Sequence, residues 1–155
     1  MSAKPVPDRV GPEGRLGTPE EVQGSGQWKP TSAVVTPRRV EKPWGYELIW
    51  AETDDYVGKL LFVRAGEALS LQFHEEKDET LFLLTGEIVL ELGSGVHSLE
   101  PVDLREGKSV RVLPGVLHRL EAVEDSTLLE ASTAHLDDVV RVRDWYGRVA
   151  EGEAR

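Results

Sequence analysis

The chain has 155 residues, which is enough for one hydrophobic core and too few for two full domains. Apolar residues make up 39% of the sequence and charged residues 30%, a balance that is consistent with one folded domain carrying polar tails. The 28 acidic and 18 basic side chains give a formal charge of −10, which disfavours extended contact with nucleic acid or anionic membranes.

The sequence contains no cysteine, so it offers neither disulfides nor thiolate metal sites. Its N-terminus lacks the apolar segment of a signal peptide, and no apolar run is long enough for a membrane span. We therefore expect a cytoplasmic protein that binds neither nucleic acid nor membranes.

The first 36 residues are dominated by proline, glycine, serine and charged side chains. Such a segment cannot bury enough apolar surface to offset the entropy lost on ordering. The sequence predicts a flexible N-terminal arm over residues 1–36 and one folded domain over residues 37–150.

Short β-type runs separated by turn residues follow. They are YELIW (46–50), KLLFVRA (59–65), ALSLQFH (68–74), ETLFLL (79–84), EIVLEL (87–92), SVRVL (109–113) and STLLEAS (126–132). Many short strands at roughly 10-residue spacing, with no helix between them, are typical of an antiparallel barrel or sandwich. Thr85 and Gly86 predict a tight hairpin between two of the runs, and residues 93–95 predict a flexible turn.

A helix is predicted only near the C-terminus, within residues 135–155. Four apolar residues there allow one or two helical turns, namely Leu136, Val139, Val140 and Val142. The predicted fold is therefore all-β with a short C-terminal helix.

The run LSLQFH (69–74) alternates apolar and polar side chains, as a strand with two different faces does. Its polar face carries Gln72 and His74, and Glu79 follows just past the next bend. We expect this polar face to point inward and line a site. The opposite face, Leu69, Leu71 and Phe73, then needs cover from a second sheet or a partner subunit, so a homodimer is expected.

His118 lies at the start of another predicted strand, after a turn at residues 114–115. Two imidazoles, a carboxylate and an amide oxygen suit a divalent ion such as zinc, iron, manganese, cobalt or nickel. Two histidines and one carboxylate also occur in non-haem iron oxygenases, so this set of ligands leaves the chemistry open.

The spacing from Gly66 to Gly86 resembles the first motif of the cupin family, G-x5-H-x-H-x4-E-x6-G, with Gln72 in place of the first histidine. The second motif, G-x5-P-x-G-x2-H-x3-N, is met at three positions, Gly107, Gly115 and His118. It departs at two others, where Leu113 replaces proline and Ala122 replaces asparagine. The resemblance implies a cupin β-barrel, also described as a jelly roll or double-stranded β-helix.

The Gln-x-His start resembles one branch of cupins, the type II phosphomannose isomerases and the C-terminal domain of mannose-1-phosphate guanylyltransferases. VEKPWGYE (40–47) is similar to the R/K-P-W-G entry of that branch, and DDVVRVRDWYGR (137–148) is similar to its closing E-D-D-I-V-R-L-E-D-x-Y-G-R. The chain departs from the branch at residues 77–81, where R-x-E-H-W is usual.

This resemblance implies a metal-dependent aldose–ketose isomerase that acts on a phosphorylated sugar, or a close relative of one. The metal ligands are then Gln72, His74, Glu79 and His118, with zinc as the first choice of metal. The candidate catalytic residues are Lys77 and Arg119, because Lys77 stands where the family carries arginine and Arg119 adjoins a ligand. Lys77, Glu75 and Glu76 are candidates for the general base, and Arg119 and Lys42 for phosphate binding. Two alternatives stay open: a non-haem metal dioxygenase and a non-catalytic sugar-binding cupin.

Overall fold

The computed structural model describes residues 34–148. The arm expected over residues 1–36 therefore lies outside the described residues except for its last three positions. The end of the expected domain, residues 149–150, lies outside them as well. Between residues 34 and 148 there is no helix of the length and apolar character that a membrane crossing requires.

Eleven β-strands make up the described chain. They are β1 Arg38–Lys42, β2 Gly45–Glu52, β3 Tyr56–Val63, β4 Leu71–Phe73, β5 Glu79–Thr85, β6 Glu87–Gly93, β7 Glu100–Arg105, β8 Ser109–Val112, β9 Leu117–Ala122, β10 Ser126–Thr133 and β11 Val140–Arg143. One antiparallel sheet has six strands in the order β1-β2-β3-β10-β5-β8, and the other has five in the order β11-β4-β9-β6-β7. The all-β prediction is confirmed.

The predicted hairpin at Thr85 and Gly86 is wrong, because β5 and β6 belong to different sheets. β5 pairs with β10 and β8, whereas β6 pairs with β7 and β9. Gly86 has a φ of +97°, and a Cβ there would lie 2.3 Å from Oγ of Ser126. Glycine is therefore needed for a sharp passage between the sheets. The predicted turn at residues 93–95 does lie between two paired strands, β6 and β7.

The predicted C-terminal helix is also wrong, since residues 140–143 form β11. This strand pairs antiparallel with β4, with Val140 opposite Phe73 and Arg141 opposite Gln72. Two physical reasons account for the difference. Valine is stiff at χ1 and favours strands, and a helix of one or two turns is unstable without tertiary packing, whereas the edge of β4 offers backbone hydrogen bonds.

The inward faces of the central strands change from polar to apolar along their length. In β3 the inward residues run from Lys59 to Leu61 and Val63, and in β5 they run from Glu79 to Leu81 and Leu83. The antiparallel β10 places Glu130 opposite Lys59, so the polar ends of all three strands coincide. One end of the barrel is therefore a hydrophobic core and the other end is polar. The core consists of Trp44, Leu61, Val63, Leu81, Leu83, Ile88, Leu90, Leu104, Val112, Leu120, Ala122 and Leu128.

The apolar face expected on the LSLQFH run is mostly covered within the chain. Leu71 is only 2% exposed, and Leu69 lines an internal cavity instead of lying outside. A partly exposed apolar surface lies instead on the outer side of the six-stranded sheet. Four cross-strand neighbours form a continuous row there, namely Leu48, Leu60, Leu129 and Phe82.

Candidate metal centre and cavity

Two histidines and one glutamate meet at the polar end of the barrel. Oε1 of Glu79 lies 3.3 Å from Nε2 of His118 and 3.7 Å from Nε2 of His74. One potential ligand atom from each residue lies within 4.8 Å of the other two. All three side chains are at least 95% buried. The structure therefore brings together three of the four predicted ligands.

The two sheets supply the three residues jointly. His74 directly follows β4 and His118 lies in β9, both in the five-stranded sheet, whereas Glu79 begins β5 in the other sheet. The bend at residues 75–78 carries the chain from one sheet to the other. The four residues between His74 and Glu79 are thus the loop that connects the two sheets.

Backbone carbonyl groups orient both imidazoles. Nδ1 of His118 lies 3.0 Å from the carbonyl oxygen of Val116, and Nδ1 of His74 contacts the carbonyl oxygen of Asp138. A carbonyl oxygen can only accept, so each Nδ1 must carry the hydrogen and donate it. Each ring then turns its Nε2 toward the centre of the cluster.

Neither Nε2 atom has a hydrogen-bond partner among residues 34–148, although both are fully buried. Two buried ring nitrogens therefore converge on a carboxylate oxygen without a hydrogen bond, an arrangement that is costly for buried polar groups. A divalent cation relieves this cost, because imidazole and carboxylate are common ligands of such ions. The residues fit a divalent metal ion.

The charge state of Glu79 also suits a metal ligand. Burial alone would raise the pKa of its carboxyl group, but the neighbouring His118, His74 and Lys77 side chains outweigh burial and hold that pKa well below its ordinary value. The carboxylate is therefore ionised at neutral pH, which is the form that binds metals.

Gln72, the fourth predicted ligand, lies beside this cluster. It is the cross-strand neighbour of His118, so the two side chains project from the same face of the sheet. Its Oε1 accepts a hydrogen bond of 2.7 Å from Oγ of Ser70, and the side chain lines the same cavity as the histidines. Its role as a ligand stays a prediction.

Lys77 belongs to a buried network of charges next to the cluster. Its Nζ contacts Oε2 of Glu79 and lies 2.7 Å from Oε1 of Glu130, which is itself 3.4 Å from Nζ of Lys59. Burial lowers the pKa of Lys77, but the charges of Glu130 and Glu79 outweigh burial and raise it. Lys77 is therefore a cation at neutral pH in this network, and its catalytic role stays a prediction. The other candidate bases, Glu75 and Glu76, are exposed and do not line the cavity.

Glu130 and Lys59 were not predicted as site residues. Lys59 begins the run KLLFVRA and Glu130 lies within STLLEAS, each two residues from a leucine that packs in the core. The sequence did carry one indication of the site, namely a charged residue spaced so that it shares a strand face with buried leucines. Its meaning depended on the pairing of β3 with β10, which places the two residues opposite each other.

Arg119 does not line the cavity. Its Nε donates to Oε2 of Glu91 at 2.7 Å, and its guanidinium lies 5.3 Å from the centre of the Trp145 ring. Lys42, the other predicted phosphate ligand, does line the cavity, but its Nζ is 3.3 Å from Oε2 of Glu47.

The cavity above the cluster has a volume of about 430 Å³. Its walls come from both sheets and from the C-terminal segment, and most of the side chains are polar or charged. Besides the residues already described, the walls include Arg38, Trp44, Ile49, Glu52, Leu136, Asp137, Val139, Arg141 and Arg148. A polar cavity of this size suits a small hydrophilic molecule.

Two packed antiparallel sheets that hold a buried His–Glu–His cluster at one end define a cupin with a candidate site for a divalent metal. The chain belongs to the family described as mannose-6-phosphate isomerase C-terminal, whose model matches residues 29–144.

Curated relatives support this assignment. The chain is 32% identical over 118 residues to a mannose-1-phosphate guanylyltransferase of Escherichia coli K12. The aligned region covers 72% of this chain and 23% of that protein. It is 30% identical over 145 residues to the xanthan biosynthesis protein XanB of Xanthomonas campestris pv. campestris. That aligned region covers 90% of this chain and 30% of XanB. The chain thus spans less than a third of the length of either relative.

Solved structures share the fold. The capsular polysaccharide assembling protein CapF of Staphylococcus aureus matches with a TM-score of 0.61 at 15% identity, over 72% of this chain and 33% of that one. A cupin superfamily protein of Desulfitobacterium hafniense matches with a TM-score of 0.50 at 18% identity, over 56% of this chain and 74% of that one. At these identities the likeness concerns the fold alone.

Proposed function

We propose that this chain is a metal-dependent isomerase that interconverts the aldose and ketose forms of a phosphorylated hexose, with mannose 6-phosphate as the first substrate to test. The observation that carries the proposal is the His74–Glu79–His118 cluster at the base of a polar cavity. Membership of the mannose-6-phosphate isomerase C-terminal family supports the choice of reaction.

His74, Glu79 and His118 would hold the metal, with Gln72 as the fourth protein ligand. Zinc is the first choice, and manganese, iron, cobalt and nickel share the same preference for nitrogen and oxygen ligands. When bound, a divalent ion supplies a Lewis acid that stabilises the negative charge developing on substrate oxygens.

Isomerisation takes a proton from C2 of the aldose and returns one to C1, while the hydroxyl proton at C2 moves to the carbonyl oxygen. The transfer between carbons needs a base. Besides the ligand Glu79, the cavity is lined by the carboxylates of Glu47, Glu52, Glu130 and Asp137. We propose Glu47 and Glu130 as the first candidates, because both lie on the inward faces of central strands. Lys77 is protonated and adjoins Glu79, so it stabilises an anionic oxygen nearby and can hold a proton there.

Solvent exchange tests this reaction directly. Metal-loaded protein is incubated with mannose 6-phosphate or fructose 6-phosphate in D₂O, and proton NMR follows deuterium at C1 and C2. We expect exchange with the wild type and with Arg119→Gln, whose guanidinium lies outside the cavity, and none with Glu79→Gln. A metal-loaded wild type that binds the sugar phosphate without exchange would instead indicate the non-catalytic sugar-binding cupin.

A second function is favoured by the ligand set itself. Two histidines and one carboxylate are also the ligands of non-haem iron oxygenases. That alternative requires oxygen uptake by the iron-loaded protein with a small organic substrate. Oxygen-electrode measurements on the iron-loaded and zinc-loaded forms separate it from the isomerase, which consumes no oxygen.

The homodimer expected from the sequence also stays a proposal, with a different interface. The row of Leu48, Leu60, Leu129 and Phe82 crosses four strands on the outer side of the six-stranded sheet. Contiguous apolar surface of this kind is unusual on a monomer and is typical of an interaction site. A second copy of the chain, presenting the same row, is the proposed partner.

A further inference from the structure

We infer that Arg141 is the anion-binding residue of the cavity and holds the phosphate of the substrate. The identification of the bound anion as the phosphate of a sugar rests on the proposed function. The anion subsite itself rests on three observations: the position of Arg141 in the sheet, its lack of a partner and the pairing of the other cations that line the cavity.

The register of the five-stranded sheet places Arg141 in line with the metal cluster. Arg141 in β11 is opposite Gln72 in β4, and Gln72 is opposite His118 in β9. Directly opposed residues project from the same face, so the three side chains form one row facing the cavity. Neighbouring strands are about 4.8 Å apart, which puts the backbone of Arg141 about 10 Å from that of His118.

The guanidinium of Arg141 has an unsatisfied donor. Its Nε is fully buried and has no hydrogen-bond partner in the part of the chain that the structure describes. Arginine keeps its positive charge at any ordinary pH, so this donor cannot be made neutral by losing its proton. A buried, charged donor without a partner is costly, and an anion in the cavity would remove that cost.

The other cations of the cavity are already neutralised by carboxylates. Among the cavity-lining cations within residues 34–148, Arg141 alone forms no ion pair. The pairs of the others are Arg38 with Glu52, Lys42 with Glu47, Lys59 and Lys77 with Glu130, and Arg148 with Asp144. An incoming anion would have to displace a carboxylate from each of these cations, but not from Arg141.

The chemistry of the two ends of the row is complementary to a sugar phosphate. A guanidinium binds phosphate through two parallel hydrogen bonds, whereas the cluster at the other end offers a metal site for oxygen ligands. The two groups lie two strands apart in the same row, so one ligand in the cavity can meet the guanidinium at one end and the metal cluster at the other. Arg141 would thus select phosphorylated over free sugars and fix which end meets the metal.

The test compares ligands and variants of the metal-loaded full chain. Isothermal titration calorimetry measures the binding of mannose 6-phosphate, mannose and inorganic phosphate to the wild type, Arg141→Gln, Arg141→Lys and the control Arg143→Gln. Arg143 is an exposed arginine of the same strand and does not line the cavity. We expect Arg141→Gln to weaken mannose 6-phosphate and inorganic phosphate at least 10-fold and to leave mannose unchanged. Arg141→Lys keeps the charge without the paired donors and should lie between.

The outcomes separate this inference from the proposed function. If Arg141→Gln loses phosphate binding while the wild type shows no solvent exchange at C1 or C2, the anion subsite stands and the isomerase does not. If the wild type isomerises and Arg141→Gln keeps the wild-type KM, the inference is overturned and the isomerase stands. A wild type that binds mannose as tightly as mannose 6-phosphate also overturns it. Should Arg141→Gln fail to fold, Arg141→Lys decides, since equal affinity of that variant and the wild type for both phosphates contradicts the proposed paired contact.

Discussion

The backbone carbonyl of Asp138 accepts a hydrogen bond from Nδ1 of His74, and the carboxylate of the same residue holds the loop that follows this histidine. Oδ1 of Asp138 accepts the backbone N–H of Glu75 at 3.0 Å, and Oδ2 accepts those of Glu76 at 2.7 Å and Lys77 at 2.8 Å. One residue of the C-terminal segment thus orients a metal ligand and braces the passage that leads to the next ligand.

Replacing Asp138 should therefore weaken metal binding without removing any ligand. We expect Asp138→Ala to lower the metal affinity by about 10-fold, the lower end of the range for outer-shell changes, because alanine keeps the carbonyl that contacts His74 but loses the carboxylate that braces the loop to Glu79. Competition with a chromophoric chelator measures the affinity. Asp137→Ala is the matched control, since the side chain of Asp137 is exposed and holds none of these N–H groups, and it should bind metal as the wild type does.

Removal of the metal should destabilise the fold by mass action. A metal present at 100 times its dissociation constant stabilises the native state by about 2.7 kcal/mol, provided it does not bind the unfolded chain. We expect a chelator to lower the melting temperature of the wild type. His118→Ala should melt at the same temperature with and without metal. A chelator effect of equal size in both proteins would speak against His118 as a ligand.

The buried charges of Lys59, Lys77 and Glu130 should show strong coupling in unfolding experiments. Glu130→Leu leaves Lys59 buried without its partner, so we expect it to cost about 3–5 kcal/mol in the free energy of unfolding. Adding Lys59→Met removes the unpaired charge and should recover part of this loss. Urea unfolding of both single variants and the double variant measures the coupling. Losses that simply add would contradict it.

The contact between Asp144 and Arg148 should make stability depend on pH in the acidic range. Hydrogen bonds from the Arg148 side chain lower the pKa of Asp144, and they outweigh the opposing effect of burial. A carboxyl group whose pKa is lower in the folded state stabilises above its unfolded pKa of about 3.9, and this contribution is lost as the pH falls through the folded value.

Asp144→Asn should therefore be less stable than the wild type at pH 7, and the difference should shrink below about pH 4. Urea midpoints at pH 7, 5 and 3 measure it. Asp54→Asn, in the exposed loop between β2 and β3, is the control and should change little at any pH. A difference for Asp144→Asn that is constant from pH 7 to pH 3 would exclude this contribution.

The proposed dimer interface can be tested with a single charge. Leu129 lies within the apolar row and is flanked by Leu60 and Phe82, so Leu129→Glu would place a carboxylate in the middle of the interface. We expect the wild type to sediment as a dimer and Leu129→Glu as a folded monomer. Val102→Glu is the control on the other sheet, and it should stay dimeric. A wild type that is monomeric at high concentration would rule out this interface.

The sequence predicted the site where its information was local. The alternation of LSLQFH turned Gln72 and His74 toward the same side, and a short bend placed Glu79 near them. The family motif supplied His118, which lies 39 residues further along the chain than Glu79. The all-β class followed in the same way, from repeated short runs and turn residues.

What the sequence did not predict depends on strand pairing. Thr85 and Gly86 form the same kind of turn whether the chain returns to its own sheet or passes to the other one. Taken alone, the valines at positions 139, 140 and 142 are compatible with a short helix. The segment forms a strand because β4 offers an edge with which it can pair. Lys59, Glu130 and Arg141 could be assigned to the cavity only once their cross-strand neighbours were known.

The pairing of β11 with β4 makes the site depend on one edge of the five-stranded sheet, where β11 is the outermost described strand. Residue 138, just before β11, braces the histidine loop, and Arg141 lines the cavity from this strand. Proteolytic cleavage before residue 138 would therefore remove the brace and the cavity arginine while every residue of the metal cluster stays in the chain.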